Sequence, residues 1–142
     1  MSQVKQQSDH ALWIPGPLPG MNEMLFARAA GRTTGRKRRD RYQRMKHQWT
    51  KTVAELARCE SLPAMTARAW ISFAWVEKDR RRDPDNVAAA RKFVLDGLVK
   101  AGVLANDGQK QISGFLDTFH LAEDGRSPGV LVELWEVNDE DG

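Results

Sequence analysis

Five charged residues near the middle of the chain have the types and spacing of a catalytic or metal-binding site. Asp83 and Asp85 lie two apart in the stretch RRRDPDN, and Lys92, Asp96 and Asp107 follow further along the chain. Carboxylates that are brought together repel one another and resist ionising unless a cation shares them. Because carboxylate oxygens are hard ligands and no matching His or Cys accompanies them, a cluster of these acids would select Mg²⁺, with Mn²⁺ as a substitute.

The chemistry of such a site would be directed at phosphodiesters. A divalent cation held by carboxylates lowers the pKa of a bound water and neutralises the charge that develops during in-line displacement. Arg80, Arg81 and Arg82 stand directly before the acids and could hold the phosphate backbone. A competing interpretation is that the same residues form salt bridges and a helix N-cap, and the spacing alone does not decide between the two.

The elements around these acids are a predicted strand and a predicted helix. Residues 67–77 alternate apolar side chains on both sides, which predicts a strand that is buried on both faces and delivers Asp83 and Asp85 at its carboxyl end. A helix is expected over about 86–101. At 100° per residue, Asp85, Lys92 and Asp96 share one stripe of a continuous helix, although Lys92 and Asp96 could equally be a solvent-exposed pair. The turn NDG, residues 106–108, would bring Asp107 to this helix only if the helix packs back on the sheet.

The remaining elements complete an α+β fold. The predictions are a short strand at Trp13 and Ile14, an irregular Pro- and Gly-rich turn, a basic mobile loop over 29–39, an amphipathic helix over 41–59, and strands near 111–119 and 129–137. We therefore expect one small domain, residues 1–142, with a mixed sheet that two main helices cover on one face. The ends, residues 1–10 and 138–142, are expected to be flexible.

Charge is segregated along the chain. Between residues 32 and 46, Asp40 is the one acid among eight basic residues, namely Arg32, Arg36, Lys37, Arg38, Arg39, Arg41, Arg44 and Lys46. Such a block is typical of surfaces that contact phosphate backbones, which makes Arg36, Lys37, Arg38 and Arg39 candidate DNA-binding residues. A solvated loop and helix face is the simpler alternative.

Composition excludes several other classes of site and protein. The chain has no apolar run long enough for a membrane span, its first ten residues lack the apolar region of a signal peptide, and its lone Cys59 cannot form an internal disulfide. A soluble, cytoplasmic protein is expected, with Cys59 buried as a small hydrophobic residue. No phosphate-binding glycine loop is present, and the three histidines are too scattered to indicate a zinc site.

At these residues the sequence resembles the RusA family of Holliday-junction resolvases, which are small Mg²⁺-dependent endonucleases of bacteria and their prophages. The resemblance is carried by D-P-D-N (83–86), by a helix with Lys92 and L-D-G-L (95–98), and by A-G-V-L-A-N-D (101–107). The proline-rich stretch PGPLPGMNEM (15–24) extends it towards the start of the chain.

The resemblance implies roles for individual residues. It makes Asp83, Asp85 and Asp107 the metal-binding catalytic acids, Asp96 a supporting acid, and Lys92 the counterpart of the family's functional lysine. Two positions depart from the pattern. Some members carry the lysine one helical turn closer to D-x-D-N, where this chain has Ala89, and many have an aspartate where this chain has Asn106.

The resemblance also implies an α+β homodimer that resolves four-way DNA junctions by paired symmetric cuts, in recombination and repair within a bacterial or phage-infected cell. Two alternatives stay open. One is a non-catalytic protein that binds branched DNA, which the departures at Ala89 and Asn106 favour. The other is a nuclease of the same chemistry that prefers flaps or replication forks.

Overall fold

The computed structural model describes residues 7–29 and 36–137, and of residues 36–40 it describes the backbone only. The described elements, in chain order, are β1 (His10–Pro15), α1 (Met21–Ala29), α2 (Arg36–Cys59), β2 (Arg68–Glu77), α3 (Pro84–Ala88), α4 (Arg91–Lys100), β3 (Ile112–Leu121) and β4 (Gly129–Val137). This is the α+β domain that the sequence predicts.

The four strands form one mixed sheet in the order β1-β4-β2-β3. β4 runs antiparallel to both β1 and β2, and β2 runs parallel to β3. A parallel pair needs a crossover connection, and α3 and α4 provide it between β2 and β3. The candidate acids therefore lie on the connection between the two parallel strands.

The helices pack against one face of the sheet. Ile71 and Phe73 of β2 are fully buried there, together with Val53 of α2 and Phe93 of α4. A Cβ added at Gly97 would overlap Val53, so the absence of a side chain at Gly97 lets α2 and α4 approach closely. This close contact fixes α4, and with it Lys92 and Asp96, against the core.

Several predictions about individual elements were wrong. β2 is not buried on both faces, because its buried residues alternate with half-buried or exposed ones such as Trp70. Cys59 is exposed rather than buried, since it is the last residue of α2 and projects beyond the packed turns. The amphipathic helix begins at Arg36 instead of residue 41, so residues 36–39 of the expected loop over 29–39 are helical. Residues 30–35 of that loop lie outside the described part of the chain.

The helix α1 was not predicted, because two buried residues, Met24 and Ala27, are too few to give a periodic pattern. Its start does carry a recognisable signal. Glu23 accepts a hydrogen bond from the backbone N–H of Gly20 at 3.0 Å, as an acid three residues after an N-cap commonly does.

The structure describes only part of each predicted flexible end. The predicted flexible segment 1–10 includes the first residue of β1, and the N–H of Asp9 donates to the carbonyl of Leu134 at 2.9 Å. Residues 1–6 and 138–142 lie outside the described residues. Across residues 7–29 and 36–137, no helix is both long and apolar enough to cross a membrane.

Candidate functional site

Asp83 and Asp85 lie at the start of α3, where the segment after β2 turns into the crossover. The backbone of Asp83 is extended, with φ −68° and ψ 154°, and its side chain makes no capping hydrogen bond. The Oδ1 atom of Asp85 accepts a hydrogen bond from the adjacent N–H of Asn86 at 3.0 Å. Both residues are exposed, so their carboxylates are accessible to solvent and to a ligand.

The neighbouring arginines do not neutralise these acids. Arg82 forms a two-pronged pair with Glu77, at 2.7 and 2.8 Å, and Arg81 lies 3.7 Å from Asp79. Among the residues that the structure describes, neither Asp83 nor Asp85 forms an ion pair. The salt-bridge interpretation therefore finds no support at the two acids among the described residues. Asp83 does occupy the N-cap position of α3, although its side chain makes no capping hydrogen bond.

Arg82 joins three parts of the fold. Besides Glu77, its Nη1 donates to the carbonyl of Leu18 and to Glu23 on α1, both at 3.0 Å. The hydrogen bond with Glu77 raises the pKa of Arg82 above its ordinary value, against the lowering effect of partial burial, and the charges of Glu77 and Glu23 raise it further. This geometry favours a structural role for Arg82 over the DNA contact that the sequence suggests.

Two parts of the resemblance that lie far apart in the sequence meet at Asn86. Its Oδ1 accepts a hydrogen bond from the backbone N–H of Asn22 at 2.9 Å, in the first turn of α1. A Cβ added at Gly20 would lie 2.5 Å from the same oxygen, so glycine is needed for this close approach. The D-P-D-N stretch is thereby attached to the proline-rich turn.

The crossover helix is not continuous. The sequence predicts one helix over 86–101, but α3 ends at Ala88 and α4 begins at Arg91. Between them the N–H of Ala90 donates to Val87 at 3.3 Å and that of Phe93 to Ala90 at 3.0 Å, which are the three-residue bonds of a tighter turn. Because Val87, Ala90 and Phe93 are all buried, this tighter turn keeps them on the core side.

The sequence predicts that Asp85 shares one stripe of a continuous helix with Lys92 and Asp96. Because the helix is broken between Ala88 and Arg91, this prediction is wrong for Asp85. The pair itself is confirmed. The Nζ of Lys92 lies 3.1 Å from Oδ1 of Asp96, one turn along α4.

Lys92 also contacts Asp107, at 3.4 Å from its Oδ2. The loop after α4 therefore does return to the helix, as a closed site requires. The hydrogen bond with Asp96 is the main reason why the pKa of Lys92 is raised above its ordinary value, and the charges of both acids add to it. The second oxygen of Asp96, Oδ2, is buried and has no hydrogen-bond partner among the described residues.

The structure thus brings Lys92, Asp96 and Asp107 together. Among the described residues, no group of three or more His, Cys, Asp or Glu side chains is placed to hold a metal ion. The donor chemistry still fits a hard divalent cation, since Asp83 and Asp85 offer carboxylates without a cationic partner. Of the three candidate metal ligands, Asp107 is the one that contacts a positively charged side chain, that of Lys92.

A further charged cluster was missed in the sequence. Asp117 on β3 accepts a hydrogen bond from Nε1 of Trp75 at 2.9 Å and pairs with Arg91, the first residue of α4. The guanidinium of Arg91 lies 4.7 Å from the centre of the Phe115 ring. This cluster fixes the start of α4, next to Lys92. Asp117 lies on the helix side of β3, and an acid at such a position in a strand is the sequence signal that could have indicated the cluster.

The basic block enters α2. Arg36, Lys37, Arg38 and Arg39 belong to its first turn, and their side chains lie outside the described part. Further along the helix, Arg41 and Arg44 line an open groove opposite Pro17 and Pro19. Glu23 lines the same groove and contacts Arg82, so the groove adjoins the segment that carries the two unpaired acids.

Comparison with known proteins gives no further identification: no protein-family model and no curated protein matches the chain.

Proposed function

We propose that this protein is a Mg²⁺-dependent endodeoxyribonuclease that resolves four-way DNA junctions by paired phosphodiester hydrolysis, as its resemblance to the RusA family implies. The proposal places it in recombination and repair within the cytoplasm of a bacterial or phage-infected cell. Mn²⁺ is expected to substitute for Mg²⁺.

One observation carries the proposal. Asp83 and Asp85 are exposed and without a cationic partner among the described residues, although three arginines directly precede them. Because Arg81 and Arg82 pair with Asp79 and Glu77 instead, the oxygens of both carboxylates stay available as ligands for a hard cation. A bound divalent cation would supply the positive partner that the described side chains do not.

In this proposal Asp83, Asp85 and Asp107 would hold Mg²⁺. When bound, the ion would supply an activated water and neutralise charge on the phosphate. Lys92 is positioned by Asp96 and directs its ammonium towards Asp107, where it can hold a phosphate oxygen or orient the attacking water. Arg91, through Asp117, fixes the helix that carries Lys92 and acts as a positioning residue.

Junction arms would be bound by the basic residues. Arg36, Lys37, Arg38 and Arg39, together with the exposed Arg80 and Arg81, are the proposed phosphate contacts. A homodimer is part of the proposal, because two cuts on a junction of nearly two-fold symmetry are most simply made by two symmetry-related sites.

The test compares Asp85→Asn with Asp79→Asn, a substitution of a nearby acid that contacts Arg81 instead. Asp85→Asn should abolish cleavage of a labelled four-way junction in Mg²⁺ while junction binding in EDTA is retained. Asp79→Asn should cleave as the natural protein does. Equal cleavage by Asp85→Asn and the natural protein would contradict the proposal.

A second candidate function is binding of branched DNA without cleavage. It is favoured by the contact of Lys92 with Asp107 and by the lack of a three-acid group among the described residues. Binding to the junction without cuts in Mg²⁺ or Mn²⁺, over a range of DNA sequences and pH, would select it. A preference for flaps or forks over four-way junctions would select the related nuclease instead.

A further inference from the structure

The open groove between α2 and the proline-rich turn has a volume of about 540 Å³. Its α2 wall is formed by three polar residues, Arg41, Arg44 and Gln48, and by two apolar residues, Met45 and Trp49. At 100° per residue, the polar residues fall on one stripe of the helix and the apolar residues on the neighbouring stripe, nearer the core. The groove therefore has a polar row and an apolar row that run side by side along α2.

The apolar row can accept a flat ring. Met45 and Trp49 are half-buried, since they pack against the hydrophobic core and also line the groove. Pro17 and Pro19 form the opposite wall. A planar group that enters between the two walls would contact the indole on one side and the proline rings on the other. Nucleobases are planar groups that stack on aromatic side chains, whatever the base.

The charge of the groove favours an anion. Arg41 and Arg44 are exposed. Glu23 is the one acid among the described residues that line the groove, and its Oε1 accepts hydrogen bonds from Nη1 of Arg82 and from the N–H of Gly20, both at 3.0 Å. Because Arg82 balances Glu23, the charge that a ligand meets in the groove is positive. A phosphodiester is the kind of group that such a site attracts.

Size and stacking together select an unpaired nucleotide over a duplex. Sites for single small molecules have volumes of about 300 to 1,000 Å³, so the groove has room for one or two nucleotides. Bases within a duplex are covered on both faces by their neighbours, whereas unpaired bases can be splayed out and stacked on a side chain. We infer that the groove binds an unpaired nucleotide of a DNA strand, with its base between Trp49 and the two prolines and its phosphates on Arg41 and Arg44.

This inference rests on the proposed function, from which it takes DNA as the ligand, and it narrows the substrate to branched DNA that carries an unpaired nucleotide. The groove is fixed relative to the candidate acids. Arg82 donates to the carbonyl of Leu18 in the proline-rich turn at 3.0 Å, and the N–H of Asn22 donates to Asn86 at 2.9 Å. These contacts attach the proline wall to the D-P-D-N stretch, so a nucleotide in the groove lies beside the DNA that the acids would contact.

The test compares two labelled four-way junctions in EDTA, one fully paired and one with an extra unpaired 2-aminopurine nucleotide at the branch. The natural protein should bind the second junction more tightly, by about fivefold or more, as stacking of one base on an aromatic ring provides, and should quench its 2-aminopurine fluorescence. Trp49→Leu should bind both junctions alike and leave the fluorescence unquenched. Trp70→Leu is the matched control, because Trp70 is 36% exposed on the opposite face of the sheet from α2, and it should keep the preference and the quenching.

Arg41→Gln covers the case in which Trp49→Leu does not fold, since Arg41 is exposed. It should lower the preference for the unpaired nucleotide by about twofold or more, because one phosphate contact is lost. Lys110→Gln changes an exposed cation in the turn before β3 and should leave the preference unchanged.

Equal binding of the two junctions by the natural protein, quenching that persists in Trp49→Leu, or a preference that is unchanged in Arg41→Gln would overturn the inference. Because binding is measured without metal, a protein that shows the preference but does not cut junctions in Mg²⁺ would contradict the proposed nuclease and leave this inference standing. Cleavage without any preference for the unpaired nucleotide would do the reverse.

Discussion

The ammonium of Lys92 lies 3.4 Å from the carboxylate of Asp107, fifteen residues further along the chain. The same ammonium is closer to Asp96, at 3.1 Å. The distance to Asp107 is at the long limit of a hydrogen bond, so Asp96 is the main partner and Asp107 can turn away at low cost. Lys92 therefore has two roles: it pairs with the half-buried Asp96, and it places a positive charge beside Asp107 at the candidate site.

Replacing Lys92 by Met should affect both stability and cleavage. Asp96 would lose its cation while its Oδ2 is already buried without a partner, and we expect a loss of about 1 kcal/mol in the free energy of unfolding, because exposure of Lys92 weakens the pair. Junction cleavage should fall about 100-fold or more. Urea unfolding and single-turnover cleavage measure the two effects.

Lys51→Met is the matched control, since Lys51 forms a similar one-turn pair with Glu55 on the exposed side of α2. It should change stability by less than about 0.5 kcal/mol and leave cleavage intact. If Lys92→Met cleaves as well as Lys51→Met, Lys92 has no part in the reaction.

The raised pKa of Lys92 gives a stability difference that depends on pH. A group whose pKa is higher in the folded than in the unfolded protein stabilises the fold fully below its unfolded value, here the ordinary 10.5, and loses this contribution as pH rises through the folded value. The stability difference between the natural protein and Lys92→Met should therefore be constant between neutral pH and about pH 10 and shrink above it. Urea unfolding across this range measures it, and a difference that stays constant into strong alkali would show that the Lys92 pairs contribute nothing.

Arg82 should matter more for stability than its neighbour Arg81. Arg82→Ala removes the link between Glu77, Leu18 and Glu23 and leaves the half-buried Glu77 unpaired, for which we expect a loss of about 2 to 3 kcal/mol. Arg81→Ala should cost less than about 0.5 kcal/mol, because that side chain is 88% exposed. Equal effects in thermal unfolding would contradict the structural role of Arg82.

The basic start of α2 should contribute to DNA affinity through counterion release. Replacing Arg36, Lys37, Arg38 and Arg39 by Ala should weaken junction binding and lower the slope of log K against log salt by about 0.9 for each phosphate that the variant no longer neutralises. Fluorescence anisotropy in EDTA, between low and moderate salt, measures the slope. An unchanged slope would remove these residues from the DNA footprint.

Most of the fold was accessible from the sequence because its strands and long helices have strong periodicity. Alternation predicted β2, the turn-rich segment between 111–119 and 129–137 separated the strands β3 and β4, and the three-and-four spacing of Tyr42, Met45 and Trp49 predicted α2. The sequence did not reveal that β2 has one face that no described helix covers. Its apolar residues on that side, such as Trp70, look the same in sequence whether they are covered by a helix, by another chain or by solvent.

The candidate site was predicted in part. The pair of Lys92 with Asp96 follows from helical spacing, and the return of Asp107 follows once α4 packs on the sheet. The break at Ala89 and Ala90 was missed, because alanine favours helix and only the burial of Val87, Ala90 and Phe93 explains the tighter turn. Likewise, the partners of Arg82 lie far from the stretch RRRDPDN in the sequence, with the exception of Glu77.

The decisive experiment for the proposed nuclease is cleavage of a labelled immobile four-way junction beside a linear duplex of matched sequence, in Mg²⁺ or in EDTA, by the natural protein and by Asp107→Asn. We expect paired nicks on the junction that depend on Mg²⁺, are absent on the linear duplex and disappear in Asp107→Asn. Binding of the junction without nicks in Mg²⁺, or nicks that persist undiminished in Asp107→Asn, would contradict the proposal.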